Sequence, residues 1–116
     1  VAAVVAYFPV SDLTRWGTPQ LVNAFPALNF DSQQYSDYSP IRFVSRDDPP
    51  TLIIHGDQDP LVPIEEGRSM HRALAGAGAP TELVVIEGAG HGFVAANADR
   101  ATAALVSWFD RHLRGR

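Results

Sequence analysis

The sequence predicts an α/β protein in which helices flank a sheet of parallel strands. Three short runs of residues are apolar almost throughout, and a segment with helical periodicity follows each of the last two runs. Strands that are buried on both faces of a parallel sheet show such continuous runs, whereas half-exposed strands alternate. The order of strand and helix favours right-handed crossovers, which place ligand sites at the carboxyl ends of the strands.

Strands are predicted at 1–8, 51–55 and 81–87. Proline or glycine stands at the ends of these runs, and both residue types interrupt regular strands. Three strands make a small sheet, and the apolar pattern of 1–8 calls for cover on both faces. We therefore expect an incomplete sheet with one bare edge, which further strands N-terminal to Val1 would fill.

Two helices are predicted, one before and one after the last strand. Pro63 occupies the first position of one helix, where its missing N–H costs nothing, and glycines at 76 and 78 end it. Its apolar face holds Ile64, Met70, Leu74 and Ala77. The other helix runs to the end of the chain, with Asn97 as its predicted N-cap. Its apolar face holds Ala101, Leu105, Trp108, Phe109, His112 and Leu113.

Residues 10–48 are irregular and rich in proline, serine, aspartate and aromatic residues, and we interpret them as an excursion over the strand ends. Ser39-Pro40 is predicted to cap a short helix at 41–44. Two interpretations, core packing or the lining of a substrate pocket, stand open for four aromatic side chains: Trp16, Phe25, Phe30 and Phe93. Phe93 is the best candidate for substrate binding, because it follows a predicted strand.

Composition excludes several classes of function. The 116 residues carry a formal net charge of -4 and no dense Lys/Arg cluster, so we expect no nucleic-acid partner. The absence of cysteine removes disulfides, thiolate metal sites and cysteine nucleophiles. No apolar run reaches the roughly 18 to 20 residues of a membrane span. The compartment stays open, with the cytoplasm as the default.

Polar residues follow the second and third predicted strands directly. The second strand leads into HGDQDPLVP at 55–63, which places carboxylates at Asp57 and Asp59. The third leads into EGAGHGF at 87–93, in which glycines flank His91 and let it project from a tight turn. Because the carboxyl ends of parallel strands meet at one edge of a sheet, the two loops are predicted to converge.

These two strings, together with SPIRFVSRDDPPTLIIHG at 39–56, resemble the acid and histidine motifs of the α/β-hydrolases, especially the esterases and the prolyl-oligopeptidase-like branch. The resemblance covers most of the chain and implies that 1–116 is the C-terminal part of an α/β-hydrolase domain. Matched residue by residue, Asp59 falls on the triad acid and His91 on the triad histidine. Asp57 falls on a non-catalytic acidic position of the motif.

The chain departs from the pattern of this family at the nucleophile. A G-x-S-x-G elbow is absent, since the nearest string, GRSMH at 67–71, lacks the second glycine and lies within a predicted helix. An oxyanion loop of the H-G-G type is absent as well. The chain order of the family is serine, acid, histidine. The resemblance therefore implies a serine upstream of Val1, and we expect the sequence to be a piece of a longer protein.

The triad residues act as a unit. A serine hydroxyl is a weak nucleophile until an imidazole accepts its proton, and the imidazole works only when a carboxylate fixes its tautomer and orientation. We therefore predict a carboxylesterase-type serine hydrolase that cleaves a small-molecule ester through an acyl-enzyme, without a cofactor. Asp59 and His91 are its catalytic residues, and the isolated chain is expected to be inactive. The expected partner is the missing N-terminal part of the domain or a second copy of the chain.

Two other functions stay open at this point. A prolyl-oligopeptidase-like peptidase shares both motifs, and a non-catalytic binding module could retain the same fold. Among the remaining polar residues, His55 is interpreted as a packed structural residue and Asp57 as a brace for its loop. A metal site built from these two residues with Asp59 and His91 is not favoured, so we predict no metal.

Overall fold

A computed structural model describes residues 1–16, 23, 25–28 and 31–114. Its sheet has three parallel strands in the order β1 (Val4–Tyr7), β2 (Thr51–Gly56) and β3 (Thr81–Ile86). The helices with described bounds are α1 (Leu13–Trp16), α2 (Tyr35–Tyr38), α3 (Ile64–Ala77) and α4 (Ala95–Leu113). The predicted α/β class, with parallel strands and flanking helices, is confirmed.

Strand β2 forms the centre of the sheet because it is apolar on both faces. Leu52 and Ile54 share a core with Trp108 of α4. Ile53 points to the opposite face and packs with Leu74 of α3. These side chains are almost fully buried. The two long helices therefore cover opposite faces of the central strand, as a parallel sheet requires.

Strand β1 lies at an edge of the described sheet. Among the described residues it pairs with β2 alone, in a register that places Val4 opposite Thr51. Its side chains are only partly buried, and Tyr7 is 37% exposed. The predicted strand over 1–8 is therefore too long, because pairing starts only where β2 itself starts, after Pro49-Pro50. The predicted bare edge is present.

Helix α3 lies within one residue of its predicted start and ends at the second of the two predicted glycines, because Pro63 is its N-cap rather than its first residue and Gly76 lies inside it. It begins directly after Pro63 and ends at Gly78, whose φ of 89° is a left-handed conformation that favours glycine. The Gly78 N–H donates to the Ala75 carbonyl at 3.1 Å, and the Ala79 N–H donates to the Leu74 carbonyl at 3.0 Å. These two bonds satisfy carbonyl groups that the end of a helix leaves unpaired.

Helix α4 begins earlier than predicted. The predicted N-cap at Asn97 is wrong, because Val94 occupies the N-cap position and Asn97 lies inside the first turn. The Asn97 N–H already donates to the Val94 carbonyl at 3.1 Å, as a helical residue does. Further along, Ala101 and Trp108 are buried against the sheet. The predicted apolar face of this helix thus packs on the core through Ala101, Trp108 and Phe109, whereas its last member, Leu113, is exposed because it lies beyond the sheet-covering part of the helix.

A buried carboxylate fastens the segment after β1 to α3. Glu66 accepts a hydrogen bond from the Asp12 N–H at 3.0 Å, and its backbone carbonyl accepts one from the Ser11 hydroxyl at 2.8 Å. Arg15 forms ion pairs with both acidic side chains. The Thr14 hydroxyl donates to the Asp12 carboxylate and holds the pKa of that group below its usual value. The exit from β1 is therefore fixed relative to the start of α3.

The described part of 10–48 contains short helical turns. Besides α1 and α2 these are 3₁₀ turns at Pro26–Leu28, Ser32–Gln34 and Pro40–Phe43. The last turn begins where predicted, with Ser39 at the N-cap position and Pro40 directly after it. The Ser39 side chain makes no capping hydrogen bond, since its hydroxyl donates to the Tyr35 carbonyl instead. Phe30 and the side chain of Trp16 lie outside the described residues. None of the helices with described bounds combines the length and apolar character of a membrane span.

Candidate active site

The loops after β2 and β3 meet at the carboxyl edge of the sheet and bring Asp59 and His91 together. The Nδ1 atom of His91 lies 2.9 Å from the Oδ2 atom of Asp59. This is the usual length of a hydrogen bond between an imidazole and a carboxylate. The sequence assigns the two residues to neighbouring strand ends, and the structure places them in direct contact.

The two carboxylate oxygens of Asp59 have separate partners. Oδ1 accepts hydrogen bonds from the backbone N–H groups of Leu61 at 2.9 Å and Val62 at 2.8 Å. Oδ2 accepts from His91, and the side chain is fully buried. An aspartate before Pro60 is also the expected residue for a turn. Asp59 thus forms the turn with one oxygen and holds the imidazole with the other.

His91 keeps its second ring nitrogen available. An ionised carboxylate can only accept, so Nδ1 is the donor, and in a neutral imidazole Nε2 then carries the lone pair. No described residue forms a hydrogen bond with Nε2, and the side chain is 31% exposed. Gly88 and Gly92 have φ values of 73° and 138°, which favour glycine. The loop can therefore offer a basic nitrogen to a group outside the described residues.

Three contacts fasten the two loops to each other. Asp57 accepts a hydrogen bond from the Gly88 N–H at 2.8 Å, which is the bracing contact predicted for it. The Gln58 N–H donates to the Ala89 carbonyl at 2.9 Å. Gly56 packs so closely that a Cβ there would lie 2.3 Å from the same carbonyl oxygen. The distance between Asp59 and His91 is therefore set by the backbones of both loops.

His55 is buried beneath the Asp59 loop, as the structural interpretation predicts. Its Nε2 atom lies 2.8 Å from the Val62 carbonyl and 3.5 Å from Oδ2 of Asp59. Its Nδ1 atom has no partner among the described residues and faces Gly67, where a Cβ would approach it to 2.6 Å. His55 therefore supports the turn that carries Asp59. Within the described ranges, no group of three or more His, Cys, Asp or Glu side chains could hold a metal ion.

Aromatic rings border the Asp59–His91 pair on the β1 side. Phe93, the predicted substrate-binding residue, lies 5.6 Å from the rings of both Tyr7 and Phe8 and lines a cavity of about 130 Å³ with them. Its role in substrate binding stays a prediction. Phe8 packs directly on His91, with ring centroids 4.1 Å apart. The sequence patterns give no role to Phe8, although its place at the end of an apolar run before Pro9 is a strand-end signal.

Residues 2–116 match the prolyl oligopeptidase family. This chain belongs to the prolyl oligopeptidase family. The predicted resemblance is thereby confirmed. The predicted α/β-hydrolase fold is confirmed as well, by the solved structures that this chain resembles. Prolyl oligopeptidase family members are serine hydrolases, and the relatives named below include both peptidases and an esterase.

Three similar proteins illustrate the range of relatives. An uncharacterized peptidase of Bacillus subtilis, YuxL, is 32% identical over 87 residues, which is 72% of this chain and 13% of the relative. Esterase LipC of Mycobacterium tuberculosis is 42% identical over 60 residues, which is 51% of this chain and 15% of the relative. The solved structure of a puromycin-hydrolyzing peptidase of Mycobacterium tuberculosis superposes with a TM-score of 0.81 at 25% identity, over 99% of this chain and 19% of that one. The chain spans less than a fifth of the length of each.

Proposed function

We propose that this chain supplies the acid and the base of a Ser-His-Asp triad to a serine hydrolase that cleaves carboxylic esters. The observation that carries the proposal is the 2.9 Å contact between His91 Nδ1 and a fully buried Asp59 carboxylate. The carboxylate fixes the tautomer, and the exposed imidazole keeps Nε2 as a proton acceptor. An imidazole held in this way needs only a hydroxyl in reach to become a general base.

The proposed reaction uses His91 twice. As the serine oxygen bonds to the ester carbonyl carbon, its proton moves to Nε2, and Asp59 stabilises the resulting imidazolium. His91 then gives that proton to the departing alcohol oxygen as the carbon–oxygen bond breaks, which leaves an acyl-enzyme. A water molecule repeats the two steps, releases the carboxylic acid and restores the serine hydroxyl.

The nucleophile in this proposal comes from residues outside the 116. Ser69, within the string nearest to an elbow, lies on α3 and is buried, and its hydroxyl accepts a hydrogen bond from Arg15 at 2.6 Å. This hydrogen bond links α1 to α3, so the Ser69 hydroxyl has a structural contact and does not face the Asp59–His91 pair as a nucleophile. We therefore propose that 1–116 is the C-terminal part of an α/β-hydrolase domain, whose preceding part supplies the serine and the oxyanion donors.

A peptidase is the second candidate, because the family match and the Bacillus subtilis relative both favour it. The acid and base act identically on esters and amides, so they do not distinguish the two. Amides require protonation of a poorer leaving group, which makes the general-acid step at His91 more demanding. The comparison of one ester with one amide of the same acyl group therefore separates the candidates.

The test uses the longest translation product that contains the 116 residues. Hydrolysis of p-nitrophenyl butyrate and of butyryl p-nitroanilide, which share the butyryl group, is measured, and a fluorophosphonate probe reports a reactive serine. We expect His91→Ala to lower kcat by roughly 10⁴-fold or more and to slow probe labelling. His71→Ala, at a helical histidine that bonds to Thr81, is the matched control and should act like the wild type.

Each result has a definite meaning for the three candidates. Ester turnover without measurable amide turnover supports the esterase, and amide turnover that depends on His91 supports the peptidase. A folded protein with no hydrolysis and no probe labelling would contradict both and favour the non-catalytic binding module.

A further inference from the structure

Phe8, the residue after β1, has a backbone conformation that phenylalanine rarely adopts. Its φ is 39°, in the left-handed region where a Cβ is crowded by the neighbouring backbone. It also precedes Pro9, and a residue before proline is normally extended. Such outliers persist only where surrounding contacts hold them, and they concentrate at functional sites. The contacts of the side chain therefore indicate what the strain achieves.

The Phe8 ring reaches over the end of β2 and covers the imidazole of His91. The two ring centroids are 4.1 Å apart with an angle of 46° between the planes. The rings of Tyr7 and Phe93 lie farther from Phe8, at 5.9 and 5.6 Å. The Phe8 N–H donates to the Ile54 carbonyl at 2.8 Å, which ties its backbone to β2. The closest aromatic contact of Phe8 is therefore the proposed general base.

His91 receives little support from its own loop. Gly90 and Gly92 on either side carry no side chains, and the imidazole is partly exposed. The hydrogen bond to Asp59 fixes one nitrogen but leaves the ring plane free to tilt about that bond. A catalytic ring must be locked by packing as well as by hydrogen bonds if it is to meet its partner in a productive geometry.

We propose that Phe8 is a positioning residue whose ring holds the His91 imidazole in the plane that keeps Nδ1 on Asp59 and Nε2 toward the reacting hydroxyl. This inference rests on the proposed function, in which His91 is the general base. The positive φ turns the Cβ of Phe8 away from the direction that an extended strand would give it. The backbone strain is thus the means by which the side chain that follows β1 reaches the loop after β3.

The kinetic test uses the longest translation product that contains these residues. Phe8→Ala and Phe8→Gly both remove the ring, and glycine also relieves the positive φ. We expect both to lower kcat on p-nitrophenyl butyrate by about 10- to 100-fold with little change in KM. The glycine variant should be at least as heat-stable as the alanine variant, so that activity and stability separate. Phe8→Tyr keeps the ring and should keep most of kcat.

Phe43→Ala is the matched control, because this phenylalanine is 69% exposed. A spectroscopic measurement follows the imidazole without turnover. The proton that His91 shares with Asp59 gives a downfield N–H signal in the NMR spectrum, identified by its loss in His91→Ala. We expect this proton to exchange with water faster when the Phe8 ring is removed, and at the wild-type rate in Phe8→Tyr and Phe43→Ala.

Failure of this inference and failure of the proposed function give different results. A wild-type protein without His91-dependent hydrolysis contradicts the proposed function, and proton exchange then decides whether Phe8 holds the imidazole. Unchanged kcat and unchanged exchange in both ring-less variants would overturn the role of Phe8. A folded Phe8→Tyr protein that is as slow as Phe8→Ala would overturn it as well.

Discussion

Asp59 divides its two oxygens between a turn and an imidazole, and this division decides what a substitution does. Oδ1 is held by the N–H groups of Leu61 and Val62, whereas Oδ2 faces His91. Asparagine can keep the acceptor at Oδ1, but it then presents an NH₂ group to the Nδ1–H of His91. Two donors cannot bond, so the imidazole must rotate or change its tautomer.

We therefore expect Asp59→Asn, in the longest available product, to lower kcat by about 10⁴-fold while the protein stays folded. Asp57→Ala is the control, since Asp57 contacts the Gly88 N–H and not the imidazole. That control should act mainly on stability, with a loss of about 0.5–1.5 kcal/mol of unfolding free energy, and should lower kcat far less than Asp59→Asn does. Steady-state kinetics with thermal or urea unfolding measures both effects. Equal kinetic losses at the two positions would contradict the separate roles.

At the residue scale, the sequence is sufficient to predict the contact between Asp59 and His91, but not the position of the Phe8 ring. Asp59 and His91 each follow a predicted strand and lie in motifs that resemble those of the α/β-hydrolases. The sequence around each residue is therefore enough to identify it as a candidate. The position of the Phe8 ring depends on a positive φ and on packing across β2. Neither feature can be predicted from the residues next to Phe8 in the sequence. A phenylalanine before proline by itself favours an extended backbone.

At the scale of elements, the strands and long helices are predictable because burial determines them. The limits of α3 follow from Pro63 and Gly78, which act through their own backbone. The start of β1 cannot be predicted from its own residues, because it depends on where its partner β2 begins. The start of α4 differs from the prediction for a related reason: the turn after His91 leads into the helix before Asn97 can cap it.

Close backbone packing at the end of β2 leads to a prediction about glycines. Gly56→Ala places a Cβ 2.3 Å from the Ala89 carbonyl oxygen and 2.7 Å from that of Gly90. The two loops must separate, so we expect a loss of about 1 to 3 kcal/mol in unfolding free energy and lower activity. Urea unfolding and esterase kinetics measure the two effects.

Gly76→Ala is the matched control, because it lies inside α3 with no atom within 4 Å of the added Cβ. Alanine is the better helix former, so this variant should gain about 0.5 to 1 kcal/mol. If Gly56→Ala is as stable and active as the wild type, the loops are not held by the contact at Gly56.

At the scale of the whole molecule, the proposed function has this chain supply the acid and the base while the nucleophile comes from elsewhere. The described sheet is open at β1. An open strand edge suits a chain that is completed by further protein. It agrees with the proposal that the active enzyme needs residues outside the 116.

The isolated chain gives a test of that proposal. Without a serine the pair can activate only water, so we expect hydrolysis of p-nitrophenyl acetate no faster than with free imidazole at the same concentration. His91→Ala in the same chain is the control, and circular dichroism reports whether both samples are folded. Turnover well above free imidazole that disappears in His91→Ala would show that no outside nucleophile is needed.

Asp59 and His91 both lie in one β-strand, α-helix, β-strand unit, 51–93, and its loops are fastened to each other by Gly88, Ala89 and their partners. A single recombination event can therefore carry both groups from one gene to another with their spacing intact. The same continuity makes this stretch a compact module for grafting onto a designed scaffold that already displays an activated hydroxyl.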